Sequence, residues 1–345
     1  MYEKLLESFI LNDLFKLQNR IVFAPSTRCF ADKNLCATDE MAEYYSKRAD
    51  AGLIISEATL ISKQAQGYPN QPGIYNEKQI SSWQNVNKKI HKKGAISFCQ
   101  LFHAGRVSHE IFIDQTPVSP SKTKLEARVP RTDLKYGESK ELSLYEIEGI
   151  IEDFVNASIN SISADFDGVE LHCANGYLPD QFLHQDTNKR DDKYGGTFKK
   201  RATFVLELVD RVIEAIGKNR IGIRLSPHAY LHMDHTKGDE KTFIYLLKEL
   251  EKRELAYVHT GVLDDKEYID YLEGNVTQFL RKNYNGVIMA NGSYSPKEAD
   301  SLIKESKADV VSFSRAFIAN SDLVSRLIKN EKLDKYDNSL LDQLK

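Results

Sequence analysis

The chain is poor in cysteine. Its four cysteines, Cys29, Cys36, Cys99 and Cys173, are too few for a disulfide scaffold, and no pair has the two-residue gap of a zinc or iron–sulfur site. They read as structural thiols of a reduced, cytoplasmic protein. An excess of one charge is also missing. The formal net charge is −3, which excludes a strongly basic chain with general affinity for nucleic acid or an anionic membrane. No run approaches the roughly 18 apolar residues that cross a bilayer. Met1 to Ile10 carries Glu3, Lys4 and Glu7, so the basic-then-apolar pattern of a secretory signal is absent. No strand is followed by G-x-G-x-x-G, the phosphate fingerprint of a dinucleotide-binding sheet. Low-complexity segments and long-period repeats are lacking as well.

What is present is an ordinary globular composition, 41% apolar and 28% charged, in 345 residues, a length that α/β barrels fill as one domain. Short apolar runs recur, each followed by a helical pattern. Eight are read as strands: Arg20–Ala24, Leu53–Glu57, Ala95–Leu101, Gly168–His172, Ile221–Leu225, Ala256–His259, Gly286–Ala290 and Val310–Phe313. Most do not alternate, as expected of strands buried on both faces in a parallel sheet covered by helices. Ser143-Leu144-Tyr145-Glu146 is a capping box; Ser295-Pro296-Lys297-Glu298 is a second, with Pro where no N–H is missed. Gly94 after Glu77–Lys93, and Gly52 after Asp39–Ala51, suit left-handed C-terminal positions. Eight strands alternating with helices predict an α/β fold, a closed (β/α)8 barrel, over residues 1–345 as a single domain. One connection stands out. Residues 105–142, after the third strand, are long for a plain turn and rich in Pro, Ser, Lys and Thr. They are expected to form an inserted lid or small subdomain over the barrel mouth.

Barrel enzymes keep their chemistry at the C-terminal ends of the strands. Here polar residues end all eight. They are Pro25-Ser26-Thr27-Arg28, Glu57-Ala58-Thr59, Gln100, His172 with Asn175 and Tyr177, Arg224, His259, Asn291-Gly292 and Ser314-Arg315. Loops are polar in any case, but together these suggest a polar-lined pocket. Asn291-Gly292 and Ser314-Arg315 follow strands seven and eight, the usual phosphate site of this architecture. Gly permits close backbone approach and the Arg fork matches phosphate oxygens; a surface ion pair is the plainer reading of Arg315. Arg224 lies in an apolar run, so it is expected to point into the mouth, toward an anion or toward a carboxylate such as Glu57. His172 and Asn175 can converge on one acceptor, such as a carbonyl or nitro oxygen, and draw electrons from a conjugated double bond. Tyr177 is then a candidate proton donor. Zinc on His172 and Cys173 is disfavoured, because neighbours on a strand point apart.

These residues resemble the Old Yellow Enzyme family of FMN-dependent ene-reductases. The likeness runs in order from Arg20 to Tyr336. Its marks are Ala24-Pro25-Ser26-Thr27-Arg28, residues 100–106 (QLFHAGR), 168–178 (GVELHCANGYL), 188–196 (NKRDDKYGG), Arg224-Leu225-Ser226-Pro227 and 314–320 (SRAFIAN). The resemblance implies a TIM barrel that holds FMN tightly and takes NADPH or NADH as reductant. It implies that Thr27 bonds the flavin carbonyl beside the hydride-carrying nitrogen. Pro25, Ser26, Ala58 and Gln100 line the isoalloxazine, Arg224 sits at the pyrimidine edge, and Asn291, Gly292, Ser314 and Arg315 hold the phosphate. His172 and Asn175 bind the substrate oxygen, Tyr177 protonates the α carbon, and Tyr68 and Phe102 flank the substrate. Metal ligands are not expected. With no separate dinucleotide domain, nicotinamide and alkene must use one pocket in turn, which implies ping-pong turnover.

Four departures from the family pattern matter. Ser314 stands where Gly usually precedes the phosphate Arg. Asn291-Gly292 replaces Gly-Gly or Gly-Asn, and Ala58 replaces a frequent Gly. The Gly- and aromatic-rich tail of many members is missing, since the chain reads Asp337-Asn338-Ser339-Leu340-Leu341 toward Lys345, so a more open pocket is expected. The altered phosphate residues keep a second reading in play, a flavin- or ligand-binding barrel that acts as sensor or carrier without efficient turnover. An iron–sulfur relative is disfavoured by the cysteine spacing, and a metal-dependent lyase by the lack of converging carboxylates. The expected partners are an activated alkene and NAD(P)H, with no nucleic acid and no membrane, in a monomer or homo-oligomer.

Overall fold

A computed structural model describes residues 2–130, 132–228 and 232–344. Eight strands form the barrel. They are β1 (Ile21–Phe23), β2 (Leu53–Ile55), β3 (Ser97–Phe102), β4 (Gly168–Cys173), β5 (Ile221–Leu225), β6 (Tyr257–Thr260), β7 (Ile288–Ala290) and β8 (Val310–Phe313). Each pairs in parallel with the next, and β8 pairs with β1 through Val311↔Ile21, which closes the sheet. The expected (β/α)8 barrel is the one observed, with strand ends displaced by up to two residues. Every barrel-strand residue is buried, which explains the unbroken apolar runs. No helix among the described residues is long and apolar enough to cross a membrane.

Two apolar layers hold the barrel. The larger lies largely between strands and helices. The smaller fills the N-terminal end of the barrel. There a hairpin of Phe9–Ile10 against Lys16–Leu17 brings Leu11, Phe15 and Leu17 onto Val22, Leu53, Phe98, Tyr257, Met289 and Val310. Phe15 meets Phe98 edge-on at 5.6 Å. Gly168 on β4 makes room for this layer: a side chain there would press within 2.6 Å of the Phe98 ring.

Both capping boxes are formed, at Leu144–Ser163 and Pro296–Lys304. Gly94 has φ +80°, as a left-handed terminus requires. Gly52 does not. Its helix ends earlier, at Ser46, and φ of Gly52 is not positive. Gly52 is needed for space: a Cβ would lie 2.1 Å from the Asn19 carbonyl oxygen.

Residues 105–142 contain a short helix, Glu110–Ile113, and a strand pair, Val118–Ser119 with Lys140–Glu141. That pair is parallel, and between its two strands the antiparallel bridges Lys124↔Glu138 and Arg128↔Lys135 form a separate arm. A buried guanidinium fastens both ends. Arg190 donates to the carbonyls of Pro120 (2.8 Å) and Leu142 (2.5 Å) while paired with Asp192 at 2.6 Å.

Candidate active site

The C-terminal ends of the strands surround a cavity of about 540 Å³. Six residues picked out in the sequence line it: Pro25, Asn175, Arg224, Asn291, Ser314 and Arg315. Val262, Leu263, Ser293, Tyr294 and Tyr336 line it too, and the sequence singles out none of them as a site residue, because loop positions carry no pattern of their own. Tyr336 belongs to the tail. The Arg315 guanidinium lies 5.8 Å from its ring, so the tail returns to the pocket. Arg315 makes no ion pair among the described residues, and its Nη1 lies 3.5 Å from Ser293 Oγ.

The turn after β1 is fixed by a carboxylate. Glu57, fully buried, accepts from the backbone N–H of Arg28 (3.0 Å) and of Cys29 (2.9 Å), and Tyr45 OH donates to it. This accounts for the left-handed Cys29 (φ +62°) beside Thr27. Glu57 therefore does not pair with Arg224, contrary to one sequence expectation. Ser26 Oγ and Ser314 Oγ are hydrogen-bonded at 2.7 Å, so the serine in place of the usual Gly is tied to the β1 turn. Ala58 is buried, and its carbonyl accepts from Gln71, whose oxygen holds the amides of Gly67 and Tyr68.

Arg224 projects from β5 with 7% exposure. Its Nε donates to the Thr260 carbonyl (3.2 Å) and one Nη to Asn291 Oδ1 (3.1 Å). It faces no carboxylate at ion-pair distance among the described residues, so it presents a buried cation to the cavity wall. At the turn after β7, Gly292 has φ +151°, and a Cβ would lie 2.3 Å from that of Asp265. Gly292→Ala is expected to cost about 1–3 kcal/mol, read as a lowered melting temperature.

An aromatic group gathers after β3 and β4, outside the residues that line this cavity. Phe102, at the end of β3, lies 4.4 Å from the Tyr177 ring and 5.7 Å from His172, and His172 lies 5.0 Å from Tyr177. Tyr177 OH and Tyr68 OH share a hydrogen bond of 2.6 Å. His172 is 4% exposed, and its Nδ1 has no partner among the described residues; nor has Asn175 Oδ1. Asn175 is left-handed (φ +61°), and its N–H donates to Ser226 Oγ at 2.8 Å. Burial, helped by the Arg224 charge, lowers the His172 pKa to about 3. His172 is thus neutral at working pH. Ligand affinity is expected to show no step from this residue between about pH 5 and 8, although a free imidazole titrates there; a pH series of dissociation constants checks it.

Residues 4–334 match the model of the NADH:flavin oxidoreductase / NADH oxidase family. Flavin oxidoreductase hxnT of Emericella nidulans is 36% identical, over 94% of this chain and 90% of that protein. The 12-oxophytodienoate reductase 7 of Oryza sativa subsp. japonica is 37% identical, over 93% and 87%. Among solved structures, the old yellow enzyme homologue from Zymomonas mobilis superposes with a TM-score of 0.92 at 32% identity, covering 98% of this chain and 96% of that one. Morphinone reductase in complex with tetrahydroNAD gives 0.90 at 38% identity, covering 98% and 93%.

Proposed function

The chain belongs to the NADH:flavin oxidoreductase / NADH oxidase family, the Old Yellow Enzyme group, and is an NAD(P)H-dependent, FMN-dependent oxidoreductase; from that premise we propose that it is an ene-reductase. The site suits FMN. The cavity falls in the range that holds a cofactor, it has a buried cation in Arg224, and the backbone cradle at Gly292 leaves no room for a side chain. When bound, FMN supplies the two-electron carrier between nicotinamide and alkene.

The chain's own residues divide the remaining work. Asn291, Gly292, Ser314 and Arg315 hold the phosphate. Thr27, Gln100 and Arg224 meet the polar edge of the ring, against Pro25, Ser26 and Ala58. His172 and Asn175 bind the electron-withdrawing oxygen of the alkene (α,β-unsaturated carbonyl, maleimide or nitro), between Tyr68 and Phe102. Tyr177 gives its hydroxyl proton to the α carbon as hydride reaches the β carbon. The reading rests on one observation above others: a neutral, buried His172 with an unpartnered nitrogen, in ring contact with Tyr177. Two uncharged donors on one oxygen polarise the double bond without titrating. The 105–142 segment serves as the lid of this pocket within a single domain.

An anaerobic visible spectrum, taken before and after NADPH, tests this. A flavin band that bleaches, and recovers on addition of 2-cyclohexenone, is the expected result. A band that stays oxidised with both NADPH and NADH points to a carrier. A colourless protein that FMN does not reconstitute overturns the reading.

A further inference from the structure

From Ser312, on the cavity wall, a chain of buried polar groups that the reading above leaves unused runs into the barrel. Glu170 (β4), His259 (β6) and Ser312 (β8) are each buried to 4% exposure or less. Glu170 Oε1 accepts from Gln100 Nε2 at 2.7 Å, and Oε2 faces His259 Nδ1 at 2.8 Å. His259 Nε2 lies 2.8 Å from Ser312 Oγ, which Asn291 Nδ2 reaches at 3.1 Å. Asn291 Oδ1 accepts from Arg224 at 3.1 Å. Five strands of the barrel are joined in this way.

The order of donors is forced. Despite burial, the His259 contact and the Arg224 charge hold the Glu170 carboxyl below the usual range, so it is ionised and can only accept. Gln100 must therefore offer its NH2, and His259 its Nδ1–H. Burial lowers the His259 pKa, which favours the neutral ring with Nε2 as the acceptor. Ser312 must then donate to it, and its oxygen takes the NH2 of Asn291. That turns the Asn291 carbonyl to Arg224. Gln100 is thus held in one orientation by Glu170, and Asn291 is held in one orientation by Arg224 and Ser312 together.

We propose that Glu170, His259 and Ser312 are positioning residues for the flavin: they hold Gln100 with its Oε1 free for it, they hold Asn291 against Arg224, and Glu170 balances the Arg224 charge beside it. This rests on the FMN assignment above. Gln100 is left with its Oε1 for a cofactor N–H, next to an Arg224 that offers a donor and a charge. The carboxylate sets how much of that charge the cofactor feels as it gains electrons.

The test uses the flavin-loaded protein. Glu170→Gln removes the counter-charge and cannot accept from both Gln100 and His259 while satisfying its own NH2. The expected results are a midpoint potential moved to more positive values, a shifted visible band, and flavin affinity weaker by about tenfold. Ser312→Ala keeps the charge and cuts the chain at its middle. It is expected to weaken flavin binding by about three- to tenfold with a smaller change in potential. A merely structural role would lower the melting temperature of both variants and leave potential and band alone; that result overturns the proposal. Unchanged flavin affinity in Ser312→Ala overturns it too, including when Glu170→Gln does not fold. If the unaltered protein takes up no FMN, it is the cofactor assignment that fails.

Discussion

Replacing Tyr177 with Phe is expected to leave flavin reduction by NAD(P)H near its normal rate and to slow alkene reduction by about 10²- to 10⁴-fold, the usual contribution of a positioned general acid. The change removes one oxygen and keeps the ring, so the contacts with Phe102 and His172 survive. Tyr177 is also the N-cap residue of the helix Leu178–Leu183 but makes no side-chain cap there, so the fold loses little. Stopped-flow traces of the two half-reactions separate the effects. If both rates match the unaltered protein, Tyr177 is not the acid. If both fall together, the variant has disturbed the pocket instead.

The second large effect concerns stability. Asp180 lies under the loop that carries Asn175. It accepts from the Gly176 N–H (2.9 Å) and from Ser226 Oγ (2.8 Å), the hydroxyl that receives the Asn175 N–H. Its other oxygen meets His184 Nε2 at 3.2 Å, and His184 Nδ1 meets Asp239 at 3.4 Å; all three side chains are fully buried. Burial alone would discharge His184, but the two carboxylates hold its pKa up to about 9. Asp180→Ala leaves a buried imidazolium short of a partner and is expected to cost about 3–5 kcal/mol. Denaturant unfolding near neutral pH measures it. The sign of the pH effect follows. A pKa raised above the ordinary value of about 6.5 gives stability that is whole below that pH and is lost as pH climbs through about 9. The unaltered protein should weaken over that window, and Asp180→Ala should show a flatter profile there. An equally steep profile in the variant would rule out His184 as the source.

The barrel was legible in the sequence because buried parallel strands leave uninterrupted apolar runs, and capping boxes are local signals spanning four residues. Gly52 was misread because a glycine required by a neighbour's carbonyl looks the same as one required by φ. The candidate site was legible where chemistry sits at strand ends, as with His172, Asn175 and Arg224. It was not legible where the partner lies far away in the chain. Glu170 and His259 are 89 positions apart, and Asp180 and Ser226 are 46. Glu57 was noticed, but its partners are backbone N–H groups, which any sequence supplies. The role of Tyr336 depends on how the tail folds back, which no local pattern encodes.

The apolar hairpin seated in the N-terminal end of the barrel makes the molecule a vessel with one door. Among the described residues, Phe15, Leu17 and their neighbours fill that end, so whatever reaches the strand ends leaves by the way it came. Traffic through such a door alternates. On the proposed ene-reductase reading, a departing oxidised nicotinamide and an arriving alkene then exclude each other, and the order of events at the site is governed in part by residues at the far end of the barrel.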